Sequence, residues 1–348
     1  MIRIGFIGTG QATGVAAWHA RAFLQSGRAQ ITGVYNRMRA SGQRWVSQFS
    51  CDIRVCASLE ELMSRSDALV ICTPNHTHHT YAMAAIAAGR HVLLEKPMAL
   101  TEQQAAELEA AARQARTVCK VGYVYRFAQP VQRLKRLAQE HLGTLYMLDG
   151  HMGGVRLADA QVKMEWRMEP AAAGSGALHD FGSHLLDTAY FVSGNTVSSV
   201  FCMRETFISY RSGPNGPRAV ETDDSASLSC KSGSMLSSFS VSRVGLGPME
   251  LSAVGEGGMA VLRLGGNASL TVQQKRKGGP YQKKEEIYTF DEGAQTQKWF
   301  CSQAEDFLNG IQGGPTLGAG FSEGAYVDRV LAAALRSVQT GAAQVVSC

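Results

Sequence analysis

Residues 68–97, ALVICTPNHTHHTYAMAAIAAGRHVLLEKP, constrain the fold more tightly than any other stretch of the chain. An apolar run (68–72) leads into a polar turn with Pro74 and Asn75, then a helical segment. A second apolar run (91–94) follows and stops on Glu95-Lys96-Pro97. Two runs this apolar, joined by one helix, read as a βαβ unit whose strands are parallel and covered on both faces. In open α/β sheets ligands bind beyond the carboxyl ends of the strands. The polar turns at 73–79 and 95–97 fall at such ends, so the chemistry of the chain is expected there.

The N-terminus repeats the pattern. Residues 2–7 read as a short apolar strand, followed by Gly8-Thr9-Gly10, Gln11-Ala12-Thr13-Gly14 and a helical stretch from about Val15. Glycines in this place permit a tight turn and bring the backbone close to a pyrophosphate seated on the helix N-terminus. The spacing is GxGxxxG where GxGxxG is usual, so the loop is expected to be longer. Gly8, Thr9, Gly10 and Gln11 are the first cofactor candidates. A second strand (30–35) ends at Asn36-Arg37. An acidic residue here would bind the ribose 2′-OH of NAD and repel a 2′-phosphate. Asn36 is neutral, and Arg37 and Arg39 are cationic, which leans the cofactor toward NADP over NAD. Residues 53–56 give a third strand, and Ser58 with Glu61 forms a capping box. Thr101 caps a helix over 102–115, and 118–122 is a sixth strand. Six strands alternating with helices fit a doubly wound sheet ordered 3-2-1-4-5-6. Thr73, Pro74, Asn75, His76 and His79 then join Glu95 and Lys96 as cofactor-facing candidates. The histidine-rich run 75–79 lacks accompanying carboxylate or cysteine ligands, and no metal is expected.

After Tyr123 the pattern changes. A helix over 130–140, a strand over 145–155, and a polar loop with Trp166-Arg167 precede a helix over 177–192. From 197 to 290 short runs alternate apolar and polar residues, as in 226–230, 235–241, 249–254, 259–264 and 269–272. That is an antiparallel sheet with one face solvated or used for subunit pairing. Helices over 295–310 and 321–339 close the chain. A chain of 348 residues exceeds one ordinary domain of ~150. The expected division is a dinucleotide-binding domain at 1–123 and a substrate and oligomerisation domain at 124–348, with the C-terminal helix free to pack back on the first. No apolar run approaches the ~20 residues that span a membrane, and the N-terminus reads as a strand at once, so a cytoplasmic protein is expected. Eight scattered cysteines include no CxxC pair and read as reduced thiols. Lys275-Arg276-Lys277 and Lys283-Lys284, with Glu285 and Glu286 beside them, read as a hairpin tip and not a nucleic-acid site.

The stretch ALHDFGSHLLDTAYF places Asp180, His184 and Asp187 at i, i+4 and i+7, on one helical face. Two explanations stand side by side: a hydrogen-bonded core pair, or an acid/base histidine oriented by a carboxylate. Lys96 favours the second, because a lysine ending a central strand is seldom there for packing and can polarise a substrate oxygen. Lys96, Asp180 and His184 together supply what alcohol oxidation needs, with a cofactor taking the hydride.

With those residues in view, the chain resembles the Gfo/Idh/MocA family of NAD(P)-dependent oxidoreductases along nearly its whole length. The resemblance rests on CTPNHTHHTYAMAAIAAGRHVLLEKP, on WRMEPAAAGSGALHDFGSHLLD and on FSEGAYVDRVLAAALRS. It implies an N-terminal Rossmann domain and a C-terminal α+β domain whose large, open, mainly antiparallel sheet often mediates homo-dimers or homo-tetramers. It implies hydride transfer between nicotinamide and a hydroxyl or carbonyl carbon of a sugar, cyclitol or related small molecule. His184 would be the acid/base, with Lys96 and Asp180 assisting. Tyr125-Arg126 matches the family's Asn-Tyr-Arg stretch, but Val124 stands where the asparagine is usual. Tyr125, Arg126, Trp166, Arg167 and His179 are the substrate candidates; His179 faces either the substrate or the sheet. Two other functions remain open on the same fold, an NAD(P)-binding sensor without turnover and an NAD-dependent glycosidase.

Overall fold

The structure is a computed structural model that describes residues 1–10, 14–265, 267–276, 279–289 and 292–347. Gln11, expected at the cofactor turn, and the hairpin tip at Lys277 lie outside the described residues. The chain divides into two compact units, Met1–Phe127 with Gly293–Ala325, and Ala128–Glu292 with Tyr326–Cys348.

The first unit runs β1 (Ile2–Ile7), α1 (Val15–Gln25), β2 (Ala29–Tyr35), α2 (Arg39–Val46), β3 (Arg54–Val55), α3 (Leu59–Arg65), β4 (Ala68–Ile71), α4 (His78–Ala87), β5 (His91–Leu94), α5 (Glu102–Gln114) and β6 (Cys119–Val121). Its six strands are ordered β3-β2-β1-β4-β5-β6, with all pairings parallel. The doubly wound sheet expected from the apolar runs is what forms. Every residue of β4 is buried, as a strand covered by helices on both faces requires. Each of Leu69, Val70 and Ile71 then contributes roughly 1.5–3 kcal/mol by leaving water. Helix starts follow local chemistry. Ser58 Oγ accepts from Glu61 N at 3.2 Å, and Thr101 Oγ1 accepts from Gln104 N at 3.2 Å, each satisfying an amide the helix itself leaves open. Glu61 reaches back to Ala57 N at 2.7 Å, one residue before the cap.

The second unit holds α6 (Gln129–Leu137), β7 (Leu145–Gly153), α7 (Pro170–Ala173), α8 (Ala177–Asp180), α9 (Gly182–Ser193) and strands β8 (Ser199–Glu205), β9 (Tyr210–Gly213), β10 (Gly216–Ala219), β11 (Ser225–Ser232), β12 (Met235–Ser242), β13 (Glu250–Gly255), β14 (Gly258–Arg263), β15 (Asn267–Arg276) and β16 (Gly279–Thr289). Helices α10 (Glu292–Ile311) and α11 (Phe321–Thr340) and strand β17 (Gln344–Val345) complete the chain. Nine strands form one sheet, β16-β15-β14-β13-β7-β12-β11-β8-β17. Its pairings are antiparallel except β12 with β7. Alternation decides which face is core: Ala226, Leu228 and Cys230 of β11 and Met235, Phe239 and Val241 of β12 are buried, while Ser227, Ser229 and Leu236 point away. The helix expected over 177–192 is broken at Phe181 into α8 and α9. Asp180 ends the first piece, and His184 lies in the first turn of the second. Among the described residues no helix is long and apolar enough to cross a membrane.

Candidate functional site

At the carboxyl edge of the first unit's sheet, four turns converge on the ends of β1, β2, β4 and β5. Gly8 adopts φ +78° and Gly10 φ +57°. A Cβ on Gly8 would meet Thr73 Cγ2 at 2.6 Å and Cys72 O at 3.0 Å, while one on Gly10 would meet nothing within 4 Å. Only glycine makes the first turn without strain, and the second leaves open space. Gly8 N donates to Tyr35 O at 2.9 Å, and Asn36 Nδ2 donates to the buried Thr9 Oγ1 at 2.6 Å. Asn36 Oδ1 also accepts from Met38 N at 3.3 Å, so this side chain ties the β2 end to the glycine turn. Arg37 and Arg39 are exposed. Helix α1 begins at Gly14 with no side-chain cap and no acidic residue in its first turn. Ala17 N donates to Gly14 O at 2.9 Å, and a helix start with no side-chain cap and no acidic residue fits a dinucleotide pyrophosphate.

The turns after β4 and β5 are locked together. Thr77 Oγ1 donates to Thr73 Oγ1 at 2.7 Å. His78, buried, lies with Nε2 at 2.9 Å from Thr73 O and Nδ1 at 2.8 Å from Pro97 O. Burial pushes its pKa down, while the two carbonyls oppose that shift. A neutral imidazole has one N–H, so it hydrogen-bonds to one carbonyl at a time and stays packed against the other. The sequence pattern around Asn75 gave no reason to single out His78 over its neighbours. His76 is exposed, and His79 Nε2 lies 2.7 Å from Glu107 Oε2 of α5. Glu95 is buried, with Oε1 at 2.8 Å from Nε2 of the buried His19 and Oε2 accepting from Lys96 N at 3.3 Å. His19 is a further residue that sequence reasoning missed. Lys96 is half-buried and joins Pro97 through a cis peptide bond. Tyr125 packs on Trp299 with ring centroids 5.6 Å apart. Arg126 is buried, and its Nη1 donates to Glu323 Oε1 at 2.9 Å.

Within the second unit, Asp180 and His184 are half-buried and Asp187 is buried. Asp180 N donates to Gly176 O at 3.0 Å, and Thr188 Oγ1 donates to His184 O at 2.8 Å. His179, beside Asp180, is enclosed in the unit with Nδ1 2.6 Å from Ser175 Oγ. Burial lowers its pKa to about 4; the Asp223 carboxylate opposes the shift and Arg204 adds to it. Neutral His179 is therefore a hydrogen-bonding core residue at physiological pH. The guanidinium of Arg167 stacks 4.4 Å over the Trp166 ring. Thr222 Oγ1 and Arg243 Nη1 both donate to Arg167 O, at 3.3 and 3.2 Å. Among the described residues no cluster of three or more histidine, cysteine or carboxylate side chains could hold a metal ion.

This arrangement has relatives. Residues 2–123 match the model described as an oxidoreductase family with an NAD-binding Rossmann fold. Residues 131–261 match the GFO/IDH/MocA C-terminal domain. The chain is 30% identical over 194 residues to glucose-6-phosphate 3-dehydrogenase of Bacillus subtilis, covering 55% of this chain and 54% of that one. It is 32% identical over 171 residues to levoglucosan dehydrogenase of Pseudarthrobacter phenanthrenivorans, covering 44% and 43%. The chain thus spans about half the length of the curated relatives it matches. A crystal structure of an NAD binding oxidoreductase from Klebsiella pneumoniae superposes with a TM-score of 0.87 at 25% identity, covering 100% of this chain and 99% of that one. With both halves matched in order, the chain belongs to the Gfo/Idh/MocA oxidoreductase family.

Proposed function

We propose that the protein is an NAD(P)-dependent oxidoreductase acting on a CH–OH group of a sugar, cyclitol or related polyol, in the cytoplasm. The observation that carries this is the meeting, on one sheet edge, of the Gly8–Gly10 cradle and the lysine of Glu95-Lys96-Pro97. A bound nicotinamide dinucleotide would supply the hydride acceptor or donor. The start of α1, which has no side-chain cap, and the backbone at Gly8 and Gly10 would hold its phosphates. Neutral Asn36 with exposed Arg37 and Arg39 favours NADP over NAD. His184 moves the hydroxyl proton, Lys96 stabilises charge developing on the substrate oxygen, and Asp180 assists His184. A histidine suits this role because its unperturbed pKa lies close to working pH. The likeness to a glucose-6-phosphate 3-dehydrogenase and a levoglucosan dehydrogenase supports a carbohydrate substrate.

The test is cofactor binding by calorimetry, NAD against NADP, followed by a sugar and polyol screen read as absorbance of the reduced nicotinamide. His184→Ala or Lys96→Ala is expected to cut turnover by at least ~100-fold, the low end for a positioned acid/base. Near-wild-type turnover in either variant sinks the assignment. A homo-dimer or homo-tetramer through the nine-stranded sheet is supported by exposed Tyr146, Met147, Met203 and Leu236 on its strands. Sedimentation equilibrium decides that point.

A further inference from the structure

The hydrogen bonds at the start of α8 point to a residue that sets the geometry of Asp180 and His184 from a distant part of the chain. Asp223 stands just before β11, 45 to 47 residues beyond the turn it contacts. Gly176 N donates to its Oδ1 at 2.9 Å, and Leu178 N donates to its Oδ2 at 2.8 Å. Ala177 N donates to its main-chain oxygen at 3.0 Å. Three consecutive amides that α8 leaves open are thus all received by one residue, which is 1% exposed. The fit is close: a Cβ on Gly176 would lie 1.8 Å from Asp223 O. Arg204 Nη1 lies 3.4 Å from Asp223 Oδ1.

The adjoining residues fix a second element. Asp224, fully buried, accepts from Arg243 Nε at 2.8 Å and from Ile208 N at 2.8 Å. Arg243 Nη2 donates to Thr222 O at 2.8 Å. Through Thr222 and Arg243 this segment also holds the carbonyl of Arg167. One three-residue segment therefore anchors both the turn bearing Asp180 and the loop bearing Trp166 and Arg167.

We propose that Asp223 is a positioning residue for the reaction: its carboxylate fixes where Asp180 and His184 stand, without touching the substrate. This rests on the acid/base role of His184 proposed above. An asparagine at 223 presents one acceptor oxygen and one NH2 group, which only donates. Its donor must oppose either the Gly176 or the Leu178 amide, so the turn loses one anchor and faces a repulsion while side-chain volume is unchanged.

The test combines kinetics and amide hydrogen exchange. Asp223→Asn is expected to lower kcat at least ~10-fold with KM within about threefold, because the change acts on the proton-transferring pair and not on ground-state binding. Exchange in peptides covering 174–184 should rise in the variant. Arg204→Gln leaves the three amide bonds in place and is expected to keep kcat within about twofold. The substrate is whichever sugar or polyol of the screen turns over fastest. Wild-type kcat in Asp223→Asn overturns the proposal, as does an equal loss in Arg204→Gln. His184→Ala, run alongside, separates the two layers: full activity there overturns the acid/base role itself, whereas loss there with an unaffected Asp223→Asn overturns only the positioning. Should Asp223→Asn fail to fold, the wild-type protein decides: slow exchange at 176–178 supports the proposal, and exchange at the rate of an unprotected loop overturns it.

Discussion

The buried His179 makes stability depend on pH in a way that can be worked out. Its folded pKa is about 4 against an ordinary 6.5, with burial as the first cause. Because the folded value lies below the unfolded one, the unfolded chain takes up the proton first as pH falls. The stability due to neutral His179 is complete above the unfolded pKa and is lost as pH falls from there through the folded value. At about pH 5 the unfolded histidine is almost wholly protonated and the folded one almost wholly neutral, a difference of about 2 kcal/mol. His179→Phe keeps an aromatic ring of similar size that cannot titrate. It leaves Ser175 Oγ without its 2.6 Å contact, a cost of about 1 kcal/mol that does not vary with pH. Urea unfolding followed by circular dichroism, at several values between about pH 7.5 and about pH 5, gives the stability gap between the two proteins. That gap should move by about 2 kcal/mol in the variant's favour on acidification, or about 1 M in urea midpoint at a slope of about 2 kcal/mol/M. Taking the difference cancels every other titrating group, Asp223 and Arg204 included, as long as the substitution leaves them in place. A gap constant to within about 0.5 kcal/mol would falsify the claim that His179 is held neutral by burial.

Three further outcomes follow from the geometry. Gly8→Ala forces a side chain into φ +78° against Thr73; it should cost about 1–2 kcal/mol and weaken NAD(P)H binding by at least ~10-fold in calorimetry, and unchanged affinity would remove Gly8 from the cofactor turn. Arg243→Met leaves the fully buried Asp224 without its guanidinium, so chemical unfolding should show a loss of about 3–5 kcal/mol; a loss below about 1 kcal/mol would mean the carboxylate is satisfied elsewhere. Burial pushes the thiols of Cys202 and Cys230 up to about 12, so iodoacetamide at about pH 8 should modify exposed Cys51 and leave these two intact, as mass spectrometry of the native protein would reveal.

Strand order was readable because burial on both faces writes itself into composition. β4 and β5 are nearly unbroken apolar runs, and a turn, a helix and a second run admit few topologies. Capping was readable for a different reason: Ser58 and Glu61, or Thr101 and Gln104, are partners three residues apart. The two-stranded β9–β10 ribbon was not readable. Its segments, YRSG and GPRA, carry no apolar alternation and pair only with each other. The break at Phe181 escaped notice as well, since residues 177–193 keep a helical apolar pattern through it. The bonds that seat the start of α8 are made to Asp223, which no local pattern records.

The same distinction separates the candidate residues that the sequence offers from those it does not. The proposed Lys96, Asp180 and His184 carry side-chain chemistry that packing rarely demands. His78, His19 and Asp223 act on the protein itself. His78 sits between two backbone carbonyls, His19 on the Glu95 carboxylate, and Asp223 on three amides. Every non-proline residue carries an N–H and a C=O, so a side chain aimed at the backbone, as those of His78 and Asp223 are, has no complementary residue type to search for. The partner is specified by distance in space, and the separation along the chain can take any value: 5 and 19 residues for His78, 76 for His19, and about 46 for Asp223. Substitution cost at such positions should therefore follow the number of backbone groups left unsatisfied and not the reactivity of the side chain. By that measure Asp223, whose two carboxylate oxygens each accept from an amide while its main-chain oxygen accepts from a third, holds the turn before Asp180 more firmly than His78 holds its two carbonyls.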